Sequence, residues 1–355
     1  MIIIFVERSP SVKKIISGLI FLIFAQSGCR QDTTSSPPEF KAYKYNPILT
    51  PGKPGSWDEL IIVSPQVILH ENIFYLFYMG CNEAGNMAVG LATSTDGFNY
   101  SKFEGNPVLA PDNSGFDAFE VGPGIIQKED TGWVMYYSCN ELAGYAPGIS
   151  VGRATAIQLT GPWIPGNEPV MIVGKKGEWD DGFIIPCSVL KIKDGSLRLY
   201  YTAGREFTTW DDIYIGMASS KDGVIWKKYN DPATIQHPFA ESDPIFFTGK
   251  EGEWDDKNVW MANVSKYING FRMYYGGSDG KIDAIGYAES RDGVHWQRHY
   301  RNPVYEGKED PDTKKVDGSF LVTNPFLLIL DTICLLYYDH GFPQGTIGVA
   351  TPRGL

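Results

Sequence analysis

The sequence predicts an all-β fold built from one four-stranded unit used five times. Three recurring landmarks support this. The first is a hairpin string: "IGMASSKDGVIW" at 215–226, "IGYAESRDGVHW" at 285–296 and a looser "VGLATSTDGFNY" at 89–100. A divergent copy is "ISVGRATAIQLTGPW" and a truncated one is "IGVATPRGL". The second is an aromatic pair closing a strand: Phe77-Tyr78, Tyr136-Tyr137, Tyr200-Tyr201, Tyr274-Tyr275 and Tyr337-Tyr338. The third is an aromatic-Asp pair: Trp57-Asp58, Phe116-Asp117, Trp179-Asp180, Trp254-Asp255 and a degenerate Val316-Asp317. The landmarks keep one order and return roughly every 60 to 75 residues, the signature of a repeat architecture.

The chain opens with a segment outside that repeat. Lys13 and Lys14 precede the uncharged run "IISGLIFLIFAQSG", which ends at Cys29. A basic flank, a short apolar core and small residues before a cut make a secretory signal. The run is too short for a comfortable membrane span. Cys29 directly after Ser27-Gly28 makes residues 1–29 a signal with a lipoprotein box, although Gln26 stands where Leu is usual. Residues 30–39, "RQDTTSSPPE", read as a flexible tether. The expected location is therefore secreted, as a bacterial lipoprotein of the periplasm or cell surface, touching membrane only through the lipid.

Residues 40–355 hold the units. In the third, "CSVLKI", "LRLYYT", "IYIGMASS" and "VIWKKY" are the four strands, and turns such as "KDGS" and "KDG" join them. Five such units predict a five-bladed β-propeller. The fifth unit stops after its third strand. At the other end, "FKAYKYNPI" (40–48) matches "YSKFEGNPV" and "WQRHYRNPV", which follow the hairpins elsewhere. The N-terminal strand is thus expected to complete the last blade and close the ring, removing an exposed sheet edge.

Composition agrees. The chain is 43% hydrophobic and 14% aromatic with 39 Gly and 23 Pro, a mix that favours strands and turns. A net charge of −11 argues against nucleic acid, which selects clustered Lys and Arg. Cys81, Cys139, Cys187 and Cys334 fit no zinc spacing. Cys81 and Cys139 occupy matching places in "GCNE" and "SCNE". They read as buried free thiols in preference to a disulfide.

In an antiparallel unit the Asp-Gly turns, Asp96-Gly97, Asp222-Gly223 and Asp292-Gly293, join strands three and four on one face. Asp-Gly suits a turn that needs positive φ, so these read as structural. The crossovers and the two–three loops meet on the other face, where a propeller has its funnel. They carry many carboxylates and several aromatic residues, which suits glycosidic cleavage. That reaction needs one protonated carboxylic acid and one ionised carboxylate, and crowded acids push each other's pKa values apart. The catalytic candidates are Glu120, Asp181 and Glu206. Glu120 is the only acid in the last four residues before a crossover Pro, and Glu206 lies in an enlarged loop. Binding candidates are Asp58, Glu83, Glu141, Arg205, Trp210, Trp260, Asp279 and His340. Asp58 belongs to the repeated aromatic-Asp pair, which is more often a turn cap than a site. The tyrosine pairs read as core.

"NPVLAP", "WDDGFIIPCSVLKIKDGSLRLYYTAG" and "IGMASSKDGVIWKK" resemble the blade pattern of the five-bladed propeller glycosidases, a superfamily that includes glycoside hydrolase families 43, 32, 117 and 130. The resemblance spans about residues 41–355 and singles out no one family. It implies a glycoside hydrolase on oligo- or polysaccharide, exo-acting and inverting, with no certain cofactor. It also leaves open a structural cation at the funnel base, for which His340 beside Asp339 is the candidate pair; the metal question stays unknown. Families 43 and 32 carry Asp before Pro at the start of the first blade, where this chain has Ser64-Pro65; Gly122-Pro123 and Ile185-Pro186 stand at the next two such places. Asp243-Pro244 lies in an insertion. The acids of family 43 therefore do not carry over residue by residue. Two alternatives follow: a glycan-binding, non-catalytic propeller lipoprotein, and a phosphorylase of the family 130 type, for which Arg205, Lys257 and His340 are the only funnel cations.

Overall fold

The computed structural model describes residues 36–112, 115–140, 148–205, 212–268, 270–307, 321–330, 333–341 and 345–352. Within them the fold is β throughout, apart from a short 3-10 turn at Gly115–Asp117. Strand β1 (Phe40–Ala42) comes first. The next four are β2 (Ile61–His70), β3 (Ile73–Cys81), β4 (Met87–Ser94) and β5 (Ser101–Lys102). A second set is β6 (Glu120–Glu129), β7 (Gly132–Asn140), β8 (Ser150–Ala156) and β9 (Ile164–Pro165). A third is β10 (Phe183–Lys191), β11 (Leu197–Gly204), β12 (Tyr214–Ser220) and β13 (Lys227–Lys228). The fourth is β14 (Asn258–Tyr267), β15 (Gly270–Ser278), β16 (Asp283–Ser290) and β17 (Gln297–Arg298). Three more strands, β18 (Val322–Ile329), β19 (Cys334–His340) and β20 (Thr346–Pro352), end the chain. Each set is an antiparallel meander. The last set is completed from the other end, with β1 beside β20 in the register Phe40↔Pro352, Lys41↔Thr351 and Ala42↔Ala350.

The landmarks explain the packing. Both aromatic residues of each pair are buried, and where both are tyrosines their hydroxyls have different tasks. The first reaches a neighbouring unit's Asp-Gly turn: Tyr136 to Gly223 O (3.0 Å), Tyr200 to Gly293 O (3.1 Å) and Tyr337 to Gly97 O (3.0 Å). The second holds its own unit's aspartate: Tyr78 donates to Asp58 (3.0 Å), Tyr137 to Asp117 (2.7 Å) and Tyr275 to Asp255 (2.9 Å). A cation from the fourth strand completes the anchor, Lys102 on Asp58 (2.5 Å), Lys228 on Asp180 (2.6 Å) and Arg298 on Asp255 (2.8 Å). The strand-three glycine of the hairpin string exists for the same tyrosine. A Cβ at Gly90, Gly152, Gly216, Gly286 or Gly348 would stand 2.3–2.9 Å from the ring of the second tyrosine, so only glycine lets the ring lie flat on the strand.

The repeated Asn before Pro is structural too. Asn106 donates to Leu91 O (2.8 Å) and accepts from Leu91 N (2.8 Å), tying the following crossover to strand three. Asn302 does the same on Tyr287, and Asn46 on Val349. The inserted Asp243 is an internal anchor, accepting from Asp231 N (2.7 Å) and Thr234 Oγ1 (2.8 Å). Cys81, Cys139, Cys187 and Cys334 are free thiols.

Candidate functional site

The first strands of all five sets run to a common cavity of about 640 Å³. Register decides what lines it. The start of strand three in one set bridges in parallel to the start of strand one in the next: Met87 to Glu120, Ile149 to Phe183, Ile213 to Asn258 and Asp283 to Leu321. The last step is Ile62 N on Gly345 O (3.2 Å). Ile61, Glu120, Phe183, Asn258 and Leu321 therefore occupy corresponding places, and all five line the cavity. Three are apolar, one is an amide and one is an acid.

Glu120 is 8% exposed, and no donor bonds its carboxylate among the described residues. Burial pushes its acid up to about 7, because a buried carboxylate without donors loses hydration and gains nothing for it. Burial, then the Glu120 charge, raises the Cys81 thiol as well. Asp283, half-buried at the start of β16, is the second carboxylate on the wall. Sequence reasoning passed over it, yet the signal that marks Glu120 was present: an acid stands where other units have Met87, Ile149 and Ile213. Asn258 is 7% exposed, and its Oδ1 has no hydrogen-bond partner among the described residues. Trp260 lines the cavity with its indole Nε1 donating to Thr323 Oγ1.

The floor is a bulge in every first strand, between Val63 and Gln66, Val121 and Gly124, Pro186 and Ser188, Trp260 and Asn263, and Thr323 and Phe326. Three non-glycine residues there have positive φ: Ser64 (59°), Met261 (48°) and Asn324 (50°). Such strain persists where the surroundings over-determine it. Asp339 is part of those surroundings: it accepts from Ser64 N (2.6 Å) and from Asn324 Nδ2, and burial raises its acid. At Gly122, where the resemblance to families 43 and 32 leads one to expect an Asp, a Cβ would fall 2.0 Å from Ser138 Oγ. Ser138 thus takes the space an aspartate would need.

The other expected site residues among those described lie off this wall. Asp181 is not on the cavity wall. It accepts from Gly177 N (2.6 Å) and faces exposed Arg205 at 3.9 Å. Asp256 caps Gly252 N in the same way (2.7 Å), and Glu59 caps Gly55 N. The second acid of the crossover motif is therefore a repeated turn cap, which explains why Asp181 does not line this cavity. Asp58 is the buried anchor described above. Glu83 is exposed, its N–H on Glu59 (3.3 Å). Asp279 caps its own loop through Lys281 N (2.8 Å) and Ile282 N (3.0 Å). His340 is buried. Thr346 Oγ1 donates to His340 O (2.7 Å), so the 2.9 Å contact has His340 Nδ1 as donor to that hydroxyl. No three metal-ligating side chains gather among the described residues. Glu141, Glu206 and Trp210 lie outside the described residues.

No family model matches the chain. Over 147 residues it is 29% identical to an uncharacterised protein of Mycobacterium tuberculosis, a stretch covering 38% of this chain and 42% of that one. Over 99 residues it is 30% identical to a β-1,2-mannobiose phosphorylase of a Thermoanaerobacter species, covering 22% and 32%. The chain thus matches less than half the length of these curated relatives. Solved structures match far more of it. BT0996 in its RGII complex superposes with a TM-score of 0.70 at 18% identity, covering 90% of this protein and 93% of that one. A thermostable family-43 glycoside hydrolase gives 0.61 at 16%, covering 85% and 92%. A GH130 structure gives 0.66 at 17%, covering 89% and 94%; its family of mannoside phosphorylases is described as containing glycoside hydrolases that target β-1,2-mannosidic linkages in Candida mannan. The chain shares its fold with these glycoside hydrolase and phosphorylase structures, and no single family is picked out.

Proposed function

We propose that the chain is a closed, five-bladed propeller that hydrolyses glycans from their ends with inversion, using Glu120 as general acid. The observation that carries this reading is the state of Glu120. It is a buried carboxyl without donors, on the wall of the cavity where all five first strands meet, with its acid near 7. Such a group still carries its proton in about half of the molecules at neutral pH and can give it to a leaving oxygen. Asp283 is the described carboxylate placed to activate water, and Glu206 stays a candidate for that role. A bounded cavity suits a chain end. No Lys, Arg or His lines it among the described residues, which supports water over phosphate as acceptor. Closure is supported by the β1–β20 pairing and by the Tyr337–Gly97 bond between the last unit and the first.

The test is turnover of aryl glycosides and oligosaccharides by wild type, Glu120→Gln and Asp283→Asn, with and without phosphate. The expected result is phosphate-independent cleavage, lowered by about 10²–10⁴-fold in Glu120→Gln. NMR of the first-formed product should show the anomer opposite to the substrate's. Retention would place the two carboxyls near 5 Å instead of roughly 6.5–9.5 Å. A second reading, glycan binding without cleavage, is favoured by one observation: Ser64, Gly122 and Ile185 replace the acids of families 43 and 32. Binding without turnover, indifferent to Glu120→Gln, would establish it. We also propose export with a lipid on Cys29; fatty-acid labelling that persists in Cys29→Ser would refute it.

A further inference from the structure

A cavity that accepts a fully hydroxylated sugar needs hydrogen-bonding groups all round, because each buried hydroxyl without a partner weakens binding. The described wall here is mostly apolar in area, although Glu120, Ser138, Asp283 and Asn324 also line it. Met79, Met87, Phe183, Ile213 and Trp260 dominate it. Several of its hydroxyls already serve the protein: Thr202 Oγ1 accepts from Met261 N (2.7 Å), Ser278 Oγ from Gly280 N (2.9 Å) and Ser64 Oγ from Asn324 Nδ2 (3.0 Å). Asn258, like Glu120, is not engaged in this way. Its amide is more than nine-tenths buried, lines the cavity, and leaves Oδ1 without a partner. A buried acceptor left open asks for a donor from a ligand. The indole of Trp260 is held in place by Thr323, so a flat platform is fixed beside that acceptor.

Resting on the glycan reading above, we propose that the cavity selects a sugar ring with apolar substituents (deoxy, O-methyl or O-acetyl), seated against Trp260 and donating one hydroxyl to Asn258 Oδ1. A hydroxylated parent would bury an extra polar group against Met and Ile side chains.

The test is binding of matched methyl glycosides to Glu120→Gln protein by titration calorimetry: 6-deoxy sugars against their hydroxymethyl parents, such as β-D-fucoside against β-D-galactoside and α-L-rhamnoside against α-L-mannoside, together with O-methyl and O-acetyl counterparts. In at least one pair the less polar member should bind about 10- to 100-fold tighter, the range an apolar pocket achieves against an added hydroxyl. Asn258→Leu should weaken that ligand about 10-fold or more, with the thermal midpoint measured alongside. If Asn258→Leu fails to fold, the pairwise comparison on Glu120→Gln still decides. Equal or tighter binding of the hydroxylated parents would overturn the selectivity and leave the glycan reading intact. Wild-type turnover of a glycan with no binding of any less polar member would overturn it as well. No binding and no turnover on any glycan would overturn both.

Discussion

The two ends of the five units use acids in opposite ways. On the turn face, Asp222 accepts from Val224 N and Ile225 N (2.9 Å each) and from Ser220 Oγ (3.0 Å). Those hydrogen bonds hold its carboxyl below the usual aspartate range. On the cavity face, Glu120 accepts from no donor among the described residues, and burial drives its acid up to about 7. An acid surrounded by donors keeps its charge and fixes the backbone. An acid stripped of donors keeps its proton and is free to react. What separates the two is the local supply of N–H and O–H groups, not the residue type.

That contrast breaks most visibly if Glu120 is ordinary. Glu120→Gln should lower turnover by about 10²–10⁴-fold with a cooperative melt retained, as steady-state rates and calorimetry will show. The wild-type rate should fall as pH rises through about 7, where the acid loses its proton. A flat profile between pH 6 and 8 would move the acid elsewhere.

The buried anchors should respond in stability instead. Asp255 sits wholly buried between Tyr275 and Arg298. Asp255→Ala would leave a guanidinium and a hydroxyl without their partner, a loss of about 3–5 kcal/mol for a buried pair. Denaturant unfolding should show this, while kcat of the protein still folded stays near wild type.

Glu120 should also appear in stability, with a distinct sign. Its folded acid lies above the 4.5 of an ordinary glutamic acid, so the fold favours the protonated form. That contribution is complete below pH 4.5 and disappears as pH rises through about 7. Glu120→Gln does not titrate. The variant should therefore gain on wild type as pH rises from 4.5 to 8, by about 3 kcal/mol at most. Parallel pH curves for the two would mean Glu120 is solvated or paired.

Much of the architecture was legible because each landmark solves one packing problem several times. The hairpin glycine makes room for the tyrosine ring, the second tyrosine and the strand-four cation hold the aspartate, and Asn-Pro ties the crossover to strand three. The site was less legible for the same reason. Asp58 and Asp181 look in sequence like candidate acids, but they are repeated anchors and caps. Glu120 stood out because no other unit has an acid there. Asp283 is marked by the same kind of departure, and was hidden in a loop-to-strand junction crowded with Asp279 and Asp-Gly. The apolar character of the wall could not be read from acids at all. It comes from the short apolar runs that open the first strands, "IIV", "FII" and "VWM", together with Met79, Met87 and Ile213 on or beside the second and third strands, and only the parallel bridges between units identify which members face inward.

The smallest effect is expected on the turn face, and it tests the comparison from its quiet side. Asp222→Asn keeps an oxygen where Oδ1 now accepts from Val224 N and Ile225 N, so the turn retains its main bonds. Gly223 keeps its positive φ of 72° and its carbonyl keeps the bond from Tyr136, so the unit-to-unit contact survives. Only the charge is removed. Because hydrogen bonding lowers the Asp222 acid, its contribution is present above the unfolded aspartate range and disappears as pH falls through the folded value. Wild type and Asp222→Asn should differ slightly in thermal midpoint at pH 7 and converge as acid protonates the folded carboxyl, with kcat and KM unchanged at neutral pH. A large loss of turnover in a normally folded Asp222→Asn protein would mean that the turn face, not the cavity, holds the chemistry.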